Sequence, residues 1–130
     1  MIANPQRRLG GPEPVGEGPI IEVEATFLTS EQGGRKLMPD LRAGRYMPHL
    51  VAQPPEVRTA AVQRNQFVEG YLGVAFVAGP EPLVAGQSGR FTIELMYHPS
   101  VSYESLGAGA TFTIREGAKI VGYGTVVRKP

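Results

Sequence analysis

A chain of 130 residues, 42% hydrophobic and 19% charged, is long enough to enclose one core and too apolar to stay unfolded throughout. Its net charge of +1 excludes the marked basic excess of a dedicated nucleic-acid or anionic-membrane binder, so any basic face must be local. The absence of cysteine excludes disulfides, thiolate catalysis and cysteine metal sites, while 17 glycines, 12 prolines and no tryptophan favour short strands and turns over long helices.

Residues 1–19 carry Pro5, Pro12, Pro14 and Pro19 with glycines between them, which predicts a flexible leader whose Arg7 and Arg8 are solvated. The folded domain is expected over 20–130. It has neither the apolar core of a secretory signal nor an apolar run of the roughly 18 to 20 residues that crosses a bilayer, so a cytoplasmic protein without membrane partners is expected. Over 20–29, Ile21, Val23, Ala25 and Phe27 fall on one face and Glu22, Glu24 and Thr26 on the other, the alternation of a half-buried strand. Gln32, Gly33, Gly34 and Arg35 then predict a shaped loop, because paired glycines permit positive φ or a close backbone approach. Pro39, Asp40 and Gly44 mark turns before a short extended segment at 46–52, where Pro48 suggests a sheet edge.

Residues 53–66 open on Pro54 and Pro55 and space Val57, Ala60, Ala61 and Arg64 almost as a helix does, which predicts a loop insertion with room for one or two helical turns. A strand is expected over 67–77, with Gly70 and Gly73 at a bulge or bend, and a turn region around Pro80, Pro82, Gly86 and Gly89. The clearest strand spans 90–98, with Phe91, Ile93, Leu95 and Tyr97 inward and Arg90, Thr92, Glu94, Met96 and His98 outward. After Gly107 and Gly109, Phe112 and Ile114 point inward and Thr111, Thr113 and Arg115 outward. Gly117 closes a tight turn, and in the partner strand over 119–127 Gly122 and Gly124 permit the coiling of a small closed barrel. About six strands without a long helix give an all-β, antiparallel closed barrel.

The residue inventory points away from catalysis. Two histidines and one aspartate without cysteine do not supply a transition-metal site, so no metal or other cofactor is expected. His49 and His98 read as packing or hydrogen-bonding groups rather than an acid–base pair. Ser88, in Gly86-Gln87-Ser88-Gly89, lacks the spacing of a nucleophile elbow, and Glu22 and Glu24 share one outer face instead of opposing each other across a cleft. No glycine-rich loop ends in Lys-Ser or Lys-Thr, so nucleotide binding is not expected.

Two collinear segments carry a resemblance. The first is Phe27-Leu28-Thr29-Ser30-Glu31-Gln32-Gly33-Gly34-Arg35 followed by Tyr46-Met47-Pro48-His49. The second runs from Ala85-Gly86 through Ile93-Glu94-Leu95-Met96-Tyr97-His98-Pro99 to Phe112-Thr113-Ile114-Arg115-Glu116-Gly117-Ala118-Lys119-Ile120-Val121-Gly122-Tyr123-Gly124-Thr125-Val126-Val127. Together they resemble the third, C-terminal β-barrel domain of elongation factor Tu, here as a stand-alone chain without the GTPase domain. Arg-Glu-Gly in a hairpin followed by Val-Gly-x-Gly is the specific signal; the chain departs from the family pattern at Met47, His49 and residues 118–120.

The resemblance implies a six-stranded antiparallel barrel without catalytic residues, working as a binding surface toward protein partners or the backbone of a tRNA stem. The positions it carries over to that surface are Arg35, Lys36, His49, His98, Glu116 and Gly117; Arg115 and Lys119 add retained charge beside them. Arg115 has two readings, a stabilising salt bridge with Glu116 or a contact to the partner. The leading expectation is a protein-interaction module. The alternative is a module that binds tRNA or another structured RNA through its sugar-phosphate backbone.

Overall fold

The computed structural model describes residues 19–42, 46–60, 62–63, 66–67 and 70–129. The expected leader, with Arg7 and Arg8, lies outside the described residues apart from Pro19, as do Gly44, Ala61 and Arg64. The strands are β1 (Ile20–Phe27), β2 (His49–Ala52), β3 (Val62–Gln63), β4 (Gln66–Phe67), β5 (Leu72–Ala78), β6 (Ser88–Leu95), β7 (Thr111–Glu116) and β8 (Lys119–Arg128). Six of them close into an antiparallel barrel in the order β1-β6-β5-β2-β7-β8, with β8 returning to pair with β1; β3 and β4 form a separate two-stranded hairpin. No helix among the described residues is long and apolar enough to cross a membrane.

The alternating pattern of β1 fixes the inside of the barrel. Ile21, Val23, Ala25 and Phe27 are buried against Phe91, Ile93 and Leu95 of β6, Val74 and Phe76 of β5, Leu50 of β2, and Phe112 and Ile114 of β7. Phe27, Phe76 and Phe91 meet with ring centroids 5.4 to 5.9 Å apart at tilted or edge-on angles, and Tyr46 joins them from the segment before β2. Burying each such ring contributes roughly 1.5–3 kcal/mol by removing apolar surface from water.

Closure requires β8 to lie directly on β1. A Cβ on Gly124 would stand 2.4 Å from the carbonyl oxygen of Glu24 and 2.8 Å from the Phe112 ring; one on Gly122 would stand 2.7 Å from the Thr26 carbonyl oxygen. The two glycines expected to permit coiling therefore act by leaving room for the neighbouring backbone. The register puts the β1–β2 and β5–β6 connections and the β7–β8 turn at one end, here called the turn end. The start of β1, the end of β8 and the β6–β7 connection lie at the other.

Four local expectations are corrected. Pro48 is not at an edge, since a closed barrel has none: β2 pairs with β5 on one side and β7 on the other, and Pro48 sits just before it with its carbonyl accepting from Val74 N–H at 3.1 Å. The span 67–77 is not one strand but β4 and β5 separated by Gly70, and the irregularity in β5 falls between Phe76 and Ala78. β6 ends at Leu95, so Tyr97 lies outside it and is 54% exposed instead of facing inward. Its ring covers Gly73, where a Cβ would meet it at 2.4 Å. The insertion forms turns and the β3–β4 hairpin, with no helical turn among its described residues: Gln53 continues the β2 ladder onto Thr111, and Pro54 then opens a turn in which its carbonyl accepts from the Val57 N–H at 3.3 Å.

Gly124→Ala is expected to lower stability by about 3 kcal/mol, because the methyl group meets backbone that cannot move without opening the barrel. Gly109→Ala, at φ +88 with nothing within 4 Å, carries only the left-handed strain of about 1 kcal/mol. Urea denaturation midpoints measured side by side check the difference.

Candidate functional site

Three segments remote in sequence are tied together at the turn end. After β1 the chain makes a single 3-10 turn, Ser30–Gln32, capped reciprocally: the Gln32 N–H donates to Thr29 Oγ1 at 3.2 Å and the Thr29 N–H to Gln32 Oε1 at 2.9 Å. Gly33 ends it at φ 93, and Gly34 passes so close to Leu28 that a Cβ would stand 2.2 Å from its carbonyl oxygen. One glycine of the pair thus supplies positive φ and the other the close approach. This loop delivers Arg35 to Glu116, the last residue of β7, with Nη1 donating to Oε2 at 2.5 Å. Tyr46 donates its hydroxyl to the same oxygen at 2.6 Å, and the Arg35 guanidinium lies 5.4 Å from the Tyr46 ring centroid. Arg35 Nε also donates to the Leu37 carbonyl at 2.8 Å, which holds the loop's far side.

The electrostatics follow from this geometry. Burial is the main cause that drives the Tyr46 hydroxyl far above the ordinary tyrosine range, and the hydrogen bond to the Glu116 carboxylate adds to it. Partial burial works against the Arg35 charge, but the hydrogen bond and charge of Glu116 outweigh it and raise its pKa. Tyr46 and Arg35 therefore both keep their protons through the neutral range.

Arg115 turns away from this clamp and lies on the outer face of β7 beneath the insertion. It is fully buried, as is Thr113, and Val51 beside them on β2 is 3% exposed. Its Nε donates to Thr113 Oγ1 at 3.0 Å, Nη1 to the Tyr71 hydroxyl at 2.8 Å and Nη2 to Gln53 Oε1 at 2.6 Å. The Thr113 hydroxyl also donates to Gln53 Oε1. The guanidinium lies 5.3 Å from the Tyr71 ring centroid, and Tyr71 packs in turn against His49 with centroids 5.7 Å apart. Of the two readings of Arg115, the salt bridge is corrected: the Glu116 carboxylate is taken by Arg35 and Tyr46, and Arg115 fastens the insertion to the barrel. Its complete burial also takes the guanidinium off the exposed surface.

The remaining expected residues divide between the ends. Lys36, Gly117 and Lys119 are exposed at the turn end, with Gly117 at φ 62 completing the β7–β8 turn. His49 is half-buried in the Tyr71–Arg115 layer. His98 lies in the β6–β7 connection at the opposite end, lining a cleft of about 420 Å³ with Pro19, Tyr103 and Lys129. Among the described residues no group of three or more His, Asp or Glu is placed to hold a metal ion. A larger cleft of about 780 Å³ separates the β1–β2 and β5–β6 connections, where Arg42 bonds to Asp40 and holds its carboxyl down to about 2.

No known protein-family model matches the chain, and no curated protein matches it in sequence. Tyr46, Gln53 and Tyr71 were missed by sequence reasoning. Tyr46 lies in the Tyr46-Met47-Pro48-His49 stretch, where a tyrosine entering the barrel wall calls for a partner for its hydroxyl; Gln53 and Tyr71 carry no such cue, since their roles depend on how the insertion folds back.

Arg115→Met and Arg115→Lys are both expected to cost roughly 3 kcal/mol, because neither reproduces the fork that satisfies three acceptors at once; thermal denaturation checks this, and a harmless lysine would contradict it. A raised folded-state tyrosine pKa contributes stability that is intact below the unfolded value of about 10 and is lost as pH rises beyond it. The unfolding free energy of the native chain is accordingly expected to decline above pH ~10 more steeply than that of Tyr46→Phe.

Proposed function

We propose that this barrel is a cytoplasmic, non-catalytic binding module that presents the turn end to a protein partner. The observation that carries the reading is the pairing of a fixed base with exposed apolar groups. Leu37 is 79% exposed and Met47 56% exposed, and the two flank the Arg35–Tyr46 stack within two residues on either chain segment. Large apolar side chains held out to solvent on a rigid support suit a partner surface, with Lys36 and Lys119 as polar rim. The residue pattern similar to the third domain of elongation factor Tu supports the same reading, because its Gly-Gly-Arg loop and its Arg-Glu-Gly turn are the two pieces that Arg35 and Glu116 join here.

The second reading, contact with an RNA stem, rests on Lys36 and Lys119, both exposed at this end. Arg35 is committed to Glu116 and Arg115 is buried, so the cations left to follow a phosphate backbone are few.

Native purification of the chain followed by cross-linking mass spectrometry tests the two readings together. The expected result is a protein cross-linked through residues 35–37 and 46–49, with its retention reduced at least about tenfold by the double change Leu37→Glu and Met47→Glu. Co-purifying RNA whose affinity falls with salt at a log-log slope of roughly 0.7 to 0.9 per phosphate would replace it with the second reading.

A further inference from the structure

The insertion does more than cover the outer face of β7. From Gln53 it crosses β8 toward the turn end, where the Arg58 guanidinium lies 4.9 Å from the ring centroid of Tyr123. There residues 58–60 close a pocket of about 370 Å³ against the capped loop after β1 and the start of β8. Its floor is apolar, made by the buried side chains of Leu28 and Ile120. Its rim carries donors. Arg58 Nη1 is tied to the carbonyls of Pro55 at 2.5 Å and Val57 at 2.9 Å, which fixes the guanidinium while Nε and Nη2 donate to none of the described residues. Gln32 uses its Oε1 on the Thr29 N–H, leaving its amide N–H₂ without a partner among the described residues. Lys119 is exposed and makes no ion pair among the described residues, and no carboxylate is among the residues lining the pocket.

Two cations and an amide donor around an apolar floor call for an acceptor-only group attached to an aliphatic body. We propose that this pocket binds a carboxylate of the protein partner, carried on an aliphatic chain as in a glutamate side chain or a C-terminal apolar residue. The proposal rests on the protein-interaction reading of the turn end and names the chemistry of one contact within it. An RNA phosphodiester is a poorer match, because it would set a polar backbone on Leu28 and Ile120 and needs cations repeated along a strand.

Amide chemical-shift titration of the full chain with hexanoate, and with hexanol as the uncharged control, tests the pocket directly. Hexanoate is expected to shift the amides of residues 32–33, 58–60 and 118–120 saturably, in the millimolar range of a small fragment, while hexanol does not. Lys119→Gln, an exposed change with no packing to lose, is expected to weaken hexanoate about threefold, and Arg58→Gln about tenfold or more. Two peptides separate the sources: one with an internal glutamate and an amidated end, the other with a free C-terminal leucine. Whichever shifts the same amides at lower concentration identifies the carboxylate.

Absence of saturable shifts at these amides, equal shifts with hexanol, an unchanged affinity in Lys119→Gln, or an RNA hairpin displacing hexanoate would each overturn the proposal. Failure here is distinguishable from failure of the broader reading. Partner capture that survives while hexanoate does not bind sinks the pocket alone; hexanoate binding that survives while Leu37→Glu and Met47→Glu leave capture untouched sinks the apolar face alone.

Discussion

The close approach of β8 to β1 is the constraint on which the rest of the structure depends. A sheet of six short strands becomes a closed barrel only if its first and last members pair, and here they pair with backbone in the space a side chain would occupy, at Gly122 and Gly124. Closure removes both sheet edges, gathers the alternating apolar residues of every strand into one core, and creates two ends with distinct loops. The turn end exists as a surface because Phe27 and Gly122 are paired there, which sets the β1–β2 loop beside the β7–β8 turn.

Upon that frame a single carboxylate organises the turn end. Glu116 receives Arg35 from one loop and Tyr46 from another, so three segments that closure brings near are locked by short, charge-assisted hydrogen bonds. The burial of Tyr46 puts the cost of breaking this arrangement on a desolvated group. Arg115 does comparable work on the side of the barrel, where its planar fork joins strand β7 to the insertion through Gln53 and Tyr71. Adjacent charged residues of one strand thus serve different purposes: Glu116 ties together the turn end, and Arg115 holds the segment that lines a pocket at its margin.

The alternation of Ile21, Val23, Ala25 and Phe27, and of Phe91, Ile93 and Leu95, made the barrel and its inner face legible, since a period of two leaves little choice of which side is buried. The glycine pair 33–34 and the turn at Gly117 were legible on a different ground, because positive φ and close backbone approach favour glycine. Pairing partners were not. Nothing in Arg35, Tyr46 and Glu116 announces that they meet, as that depends on strand order; Arg115, adjacent to an acid in sequence, invited the wrong partner. The insertion was the least legible part, because its spacing of Val57 and Ala60 mimics a helix while Pro54, Pro55 and the barrel wall decide its path. His49 and His98, equal in sequence terms, end on opposite parts of the fold for the same topological reason.

We propose the end organised by Glu116 as the working surface of the barrel. Amide hydrogen exchange of the chain with and without its co-purified partner tests this most directly. Added protection is expected in residues 28–37, 46–49 and 116–120, with residues 96–110 at the opposite end unchanged. Protection concentrated in 96–110, with the Glu116 end exchanging as freely as in the isolated chain, would contradict it.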